Sequence, residues 1–275
     1  MRWASIACLG LVGCVGAEAT TLPPQQPAPA ATASAGSAAT TELGLDPGET
    51  MSFEVRFGGV LAGEAQLAVG QIGEVGGHRA VVVKSRAATA GAAALIKSIS
   101  DETTTVIDAD SGRPLQLDTT AVVGGTTTTA HADFAETSAT VTYSKTDDAK
   151  PRTYRVNFRG ATAYETHSAM AQLRGWHAAP GATRTVYVVG GRRLWRVDVS
   201  FVGIESVGSS LGNRRAVHLE GAAFRARPNL TLESQSPTRT FSVWLTDDAD
   251  RVPLKLVAKT ELGDVTMDLT EYNRP

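Results

Sequence analysis

Cysteine is nearly missing from this chain: Cys8 and Cys14 are the only two in 275 residues. Beyond residue 14 that scarcity excludes a disulfide framework and a thiolate metal site. A dominant charge is missing too, since 26 Lys and Arg stand against 28 Asp and Glu for a net of −2. A generally basic nucleic-acid coat is excluded, and no nucleic-acid partner is expected. No apolar run approaches the ~18–20 residues that cross a bilayer as a helix, which excludes a polytopic helical membrane protein. Walker and dinucleotide fingerprints are absent, and no nucleotide or other cofactor is expected. What is present is a 42% hydrophobic chain long enough to bury a core of its own.

The N-terminus carries an address. Arg2 precedes an apolar stretch, Trp3 to Val12, interrupted only by Ser5 and Gly10. Ten helical residues span ~15 Å, half of a hydrocarbon core, so the stretch fits a secretory signal better than a membrane anchor. It ends Leu11-Val12-Gly13-Cys14, which resembles the bacterial lipobox. That resemblance implies cleavage after residue 13 and diacylglycerol on the Cys14 thiol. Val15 follows where inner-membrane retention would want Asp, so the resemblance implies an outer membrane, with the protein facing the periplasm or the surface. The expected partner is therefore a membrane, reached through the N-terminal lipid. Two or three acyl chains at ~0.8 kcal/mol per methylene make such an anchor permanent.

Residues 14–47 read as the lipidated cysteine and an Ala/Pro/Thr-rich tether with no apolar period. From Thr50 the pattern alternates. Phe53, Val55 and Phe57 face one way and Ser52, Glu54 and Arg56 the other. Trp195, Val197, Val199 and Phe201 oppose Arg196, Asp198 and Ser200, while Phe241, Val243, Leu245 and Val265, Met267, Leu269 repeat the pattern. A period of two marks strands with one dry and one wet face. Turn signals at Gly76-Gly77, Gly124-Gly125, Gly190-Gly191 and Gly212-Asn213 separate them at hairpin intervals. The expected fold is all-β over residues 48–275: an antiparallel meander closing into a β-barrel or strongly curved half-barrel. One or two short helices are expected, at Ala87–Lys97 and Ala163–Arg174. A transmembrane barrel is disfavoured, because Arg56, Arg196 and Asp198 occupy the face that lipid would touch.

The segment Gly48-Glu49-Thr50, the strand Phe-x-Val-x-Phe and Gly58-Gly59-Val60-Leu61-Ala62-Gly63-Glu64 resemble the exported bacterial proteins grouped as domain of unknown function 3108. The resemblance continues in Val243-Trp244-Leu245-Thr246-Asp247-Asp248, Arg251-Val252-Pro253-Leu254 and Leu262-Gly263. It implies an all-β envelope protein and brings no catalytic residue with it.

Candidate chemistry is sparse. Gly208-Ser209-Ser210-Leu211-Gly212 spells a nucleophile elbow, but a strand-like run follows where a helix is needed, so it reads as a turn. His78, His131, His167, His177 and His218 lack helical zinc spacing and read as exposed or hydrogen-bonded surface histidines; no metal site is expected. Asp108, Asp110 and Gly112 open like a calcium loop without its later ligands and read as a turn. One feature is electrostatic: Arg184, Arg192, Arg193, Arg196, Arg214, Arg215, Arg225 and Arg227 face only Asp198, Glu205 and Glu220 in the same stretch. Guanidinium forks suit phosphate and carboxylate, so Arg192, Arg193, Arg196, Arg214, Arg215, Arg225 and Arg227 form a candidate face for lipid or an anionic envelope polymer. The function expected is non-enzymatic: an envelope lipoprotein holding a hydrophobic or amphipathic ligand, or a partner, on a curved sheet. The alternatives are a structural lipoprotein with a filled core and a hydrolase whose residues meet only in space.

Overall fold

The computed structural model describes residues 43–260 and 263–274; the signal segment, Cys14 and most of the tether lie outside them. Among the described residues the elements run β1 (Thr50–Phe57), β2 (Val60–Val69), β3 (Gly73–Val75), β4 (His78–Thr89), α1 (Gly91–Ile96), β5 (Ile99–Asp108), β6 (Pro114–Val123), β7 (Thr126–Phe134) and β8 (Ser138–Lys145). There follow β9 (Arg152–Asn157), β10 (Ala163–Tyr164), α2 (Thr166–Arg174), β11 (Thr183–Gly190), β12 (Arg193–Ser209), β13 (Gly212–Ala226), β14 (Arg239–Thr246), β15 (Pro253–Thr260) and β16 (Gly263–Asn273).

The strands build one sheet, ordered β10-β11-β12-β13-β14-β15-β16-β1-β2-β4-β5-β6-β7-β8-β9, with β3 paired to β4. Neighbours along it are antiparallel except β10 and β11, which run parallel. Tight Gly-Gly turns such as Gly58-Gly59, both at positive φ, fit the twist of the hairpins they close. The sheet curls without closing. Its edges, β9 and β10, meet through side chains: Val156, Phe158, Ala163, Val189 and Leu194 pack across the seam. Arg192 lies over the rings of Tyr154 and Tyr143, 4.9 and 5.8 Å from their centroids. The strongly curved, unclosed form is thus the one realised. Short β10 and the arginines on β9 protect edges that would otherwise pair with another chain.

Two boundaries differ from expectation. Ala87–Thr89 complete β4, so α1 keeps only six residues, while Ala163–Tyr164 pair with β11 before α2 begins. Sheet pairing overrode alanine's helix preference in both places. Leu43–Pro47, read above as tether, already belong to the fold. Leu45 is buried with Val69, Val81, Val83, Ile107 and Ala171.

The convex face is wet and charged, with Arg196–Asp198 at 2.8 Å, Arg56–Glu54 at 2.6 Å and Lys255–Asp268 at 3.5 Å. On the concave face lie the alternating apolar residues. Helix α2 runs inside the curve. Its Leu173 packs on Val186, Val197 and Phe241 of β11, β12 and β14, and its Ala171 on Val81, Val83 and Ile107 of β4 and β5. A helix buried on both sides between two walls of one sheet plugs one end of the barrel.

Candidate functional site

Four polar side chains fix the plug. Glu165 caps α2: its Oε2 accepts from the His167 N–H at 2.8 Å and its Oε1 from the Ser168 N–H at 2.6 Å, while Ser168 Oγ accepts from the Glu165 N–H at 3.0 Å. This is a capping box with the two side-chain types exchanged. Gln172 holds Arg184, whose Nη1 donates to the Gln172 carbonyl at 2.9 Å and whose Nη2 donates to Oε1 at 2.8 Å. Arg174, 3% exposed, grips the fully buried Glu49 in a two-toothed ion pair at 2.5 and 2.9 Å and donates to the Asp250 carbonyl at 3.0 Å. Glu49 also accepts from the Asp46 N–H and the Tyr272 hydroxyl. Burial pushes the Tyr272 phenol up to about 12, with the Glu49 charge adding to it.

His167 is the fourth, and it corrects an expectation. It is no surface histidine but 6% exposed, with Nδ1 2.8 Å from Thr105 Oγ1 and Nε2 2.9 Å from Ser85 Oγ. Its position on a helix enclosed by strands explains the burial. The Ser85–His167 contact has the outline of an activated nucleophile, but the rest of such a site is not assembled. Glu165 Oε2 stays 3.9 Å from Nδ1 and is engaged by the backbone. Ser85 sits mid-strand between partners in β2 and β5, where backbone donors belong to the ladder rather than to an oxyanion.

Away from the plug the concave face stays accessible. Phe57, Leu256, Ala258, Val265 and Met267 all lie on it and are only partly buried. On the opposite wall Asp101 and Thr103 face the same interior; burial raises the Asp101 carboxyl, and the hydrogen bond from Thr103 partly offsets this. The curled sheet is thus a cup, with α2 at one end of its interior and the Gly58-Gly59, Gly124-Gly125 and Gly190-Gly191 turns at the other. Between α2 and the β11–β14 wall remains an apolar slot of about 30 Å³, lined by Met170, Leu173, Val188, Val199 and Phe241 among others. A shallow polar groove of about 350 Å³ crosses β6–β8 near Asp118, Thr120, Thr129 and His131. There the Asp118 hydrogen bond is the main cause raising the His131 pKa.

The arginines do not share one face. Arg192 and Arg193 stand at the Gly190-Gly191 end with Arg225 and Arg227, Arg196 lies on the convex wall against Asp198, and Arg214 and Arg215 lie at the plugged end, where Arg215 pairs with Asp247 at 3.1 Å. Strand β12 accounts for the split, because its seventeen residues separate its ends by about 55 Å. Ser210 sits in the β12–β13 turn, its hydroxyl donating to the Leu269 carbonyl. Asp108 closes the β5–β6 turn by accepting from Ser111 and Asp110. His218 stacks on Trp244 with ring centroids 4.5 Å apart, and Glu205 bridges the two. Among the described residues no group of His, Cys, Asp and Glu is placed to hold a metal. Sequence reasoning passed over Glu49, Arg174 and Arg239. The Glu-x-x-Ser spacing at 165–168, a capping box with its side chains exchanged, is the one sequence signal that could have marked an anchor of the plug.

Comparison with solved structures finds this architecture elsewhere. A β-barrel-like protein of domain of unknown function DUF1849 from Brucella abortus matches with a TM-score of 0.56 at 11% identity, covering 82% of this chain and 97% of that one. An exported protein with a YmcC-like fold from Bacteroides fragilis aligns at TM-score 0.35 and 11% identity over 83% of this chain and 97% of its own. A structure described as a lipoprotein, from Parabacteroides distasonis, aligns at 0.34 and 8% over 84% and 99%. No curated protein matches. A family model spans residues 52–270, most of the described domain, and by that match the chain belongs to the family described as protein of unknown function DUF3108.

Proposed function

We propose that this is a non-enzymatic cell-envelope lipoprotein, anchored through Cys14 to an outer membrane, that receives a hydrophobic or amphipathic ligand in its cup. The observation that carries the reading is the partly exposed apolar wall of Phe57, Leu256, Val265 and Met267 inside a strongly curled sheet whose other end is filled by α2. Leaving such a wall wet costs ~25 cal/mol per Å², which an apolar occupant recovers. The incomplete surroundings of Ser85 and His167 support a role without catalysis. Extraction of the gently purified protein, followed by mass spectrometry, tests this: an acyl lipid in stoichiometric amount beyond the Cys14 anchor is expected, and a bare chain counts against it.

The filled-core alternative draws on one observation, the slot of about 30 Å³ beneath α2, which holds nothing larger than a water. It places the protein's work at its surface, and the same extraction separates the two.

A further inference from the structure

On the concave face the register sets Arg239 opposite Ala223, with Arg225 two residues further along β13. The two side chains are therefore diagonal neighbours on one face, within reach of each other. Both are half-buried. Arg225 lies with Cζ 5.8 Å from the Trp195 ring, and its Nε is sealed from solvent without a hydrogen-bond partner. Among the described residues neither guanidinium meets an acceptor, and the one acid in the adjoining 227–238 loop is spent elsewhere. Glu233 donates its N–H to the Arg225 carbonyl at 2.9 Å and turns its carboxylate to Arg193 at 3.8 Å.

Such an arrangement is unfavourable as it stands. Two cations drawn partly out of water lose hydration and repel each other. The direction of the Arg239 pKa agrees: burial lowers it, and the Arg225 charge lowers it further. By contrast the buried guanidinium of Arg174 has both a counter-charge and a carbonyl. From Arg239 the concave face continues along β14 through Phe241 and Val243, beside Ala258 and Leu256 of β15 and Val265 and Met267 of β16. A cationic seat thus opens directly onto the apolar wall.

We propose that Arg225 and Arg239 seat the oxyanion head, phosphate or carboxylate, of an amphiphile whose tail lies along the β14–β16 wall. The proposal deepens the ligand-in-cup reading and rests on it. Guanidinium forks match tetrahedral phosphate and planar carboxylate alike, so head chemistry rather than ligand identity is what the pair specifies.

The test uses the full chain carrying Cys14→Ala, so that no acyl group of its own competes, and three probes by calorimetry: dodecyl phosphate, inorganic phosphate and the uncharged dodecyl maltoside. Dodecyl phosphate is expected to bind one to one and most tightly. Arg225→Gln and Arg239→Gln should each weaken it about 10- to 100-fold, as loss of charge-assisted hydrogen bonds does, while leaving dodecyl maltoside unchanged. The ligand-free Arg239→Gln protein should melt no lower than the parent, since a structural arginine would lose stability and a waiting one relieves repulsion. Inorganic phosphate binding as tightly as dodecyl phosphate, with the same losses, keeps the anion seat and removes the tail from the cup. Dodecyl phosphate binding untouched by both substitutions, or no binding of any probe, overturns the proposal.

Discussion

Removing Arg174 is the sharpest perturbation of the scaffold. Its guanidinium is 3% exposed and makes two bonds to Glu49, itself inaccessible to solvent. Arg174→Met keeps much of the side-chain volume but strands the Glu49 carboxylate in the interior with the Asp46 N–H and the Tyr272 hydroxyl as its remaining partners. Breaking one side of a buried pair costs about 3–5 kcal/mol. For a domain of this size each kcal/mol moves the melting temperature by ~2–4 °C, so the loss should be on the order of 6–20 °C. Glu49→Leu should cost a similar amount, because Arg174 is then the stranded charge. The double variant should recover part of the loss, since two apolar groups need no partners. Urea denaturation of all four proteins, followed by circular dichroism, measures the cycle. Single losses below about 1 kcal/mol, or losses that simply add, would refute the view that this pair bolts α2 to the start of β1.

Trp195→Asp, placing a charge on the concave face at a residue 4% exposed, should prevent folding, read as loss of the cooperative melt. Gly221→Ala should cost ~1–3 kcal/mol by denaturation, because its methyl group would collide with the Phe241 ring. Leu95→Asp with Ile96→Asp should leave the melting temperature nearly unchanged, as both side chains are mostly exposed on α1. The folded pKa of His131 is raised by Asp118, so its stabilising contribution is present below ~6.5 and fades as pH rises through the raised value. His131→Asn should flatten that part of a stability–pH curve. Cys14→Ala should abolish fatty-acid labelling and release the protein from the membrane fraction.

The strands were legible because one rule, alternation, is local and strong: Trp195 to Phe201 and Phe241 to Leu245 bury the residues their period assigns. The helix expected at Ala163–Arg174 located α2, but its sequence could not reveal its surroundings. Amphipathic spacing describes a helix with one dry side, and this one is enclosed on both: β4 and β5 close over His167, and Glu49 and the Asp250 carbonyl over Arg174. The arginine face misled for a different reason. Residues adjacent in sequence were grouped together, whereas a seventeen-residue strand carries Arg193 and the turn beyond Ser209 to opposite ends. Conversely Arg225 and Arg239 become neighbours across the 227–238 loop, a register that no two-residue hairpin signal encodes. Glu49 and its partner stand 125 residues apart, and only topology joins them.

Methyl resonances give the most direct view of the cup, because the chain has four methionines and three lie in contrasting described places. Met267 is on the open concave wall, Met170 lines the slot under α2, and Met51 is 3% exposed in the core. With methyl-labelled methionine and dodecyl phosphate added stepwise, Met267 should shift and show Overhauser contacts to tail protons while Met51 stays still. A silent Met267 would contradict occupancy of the cup, whether or not the Met170 resonance moves.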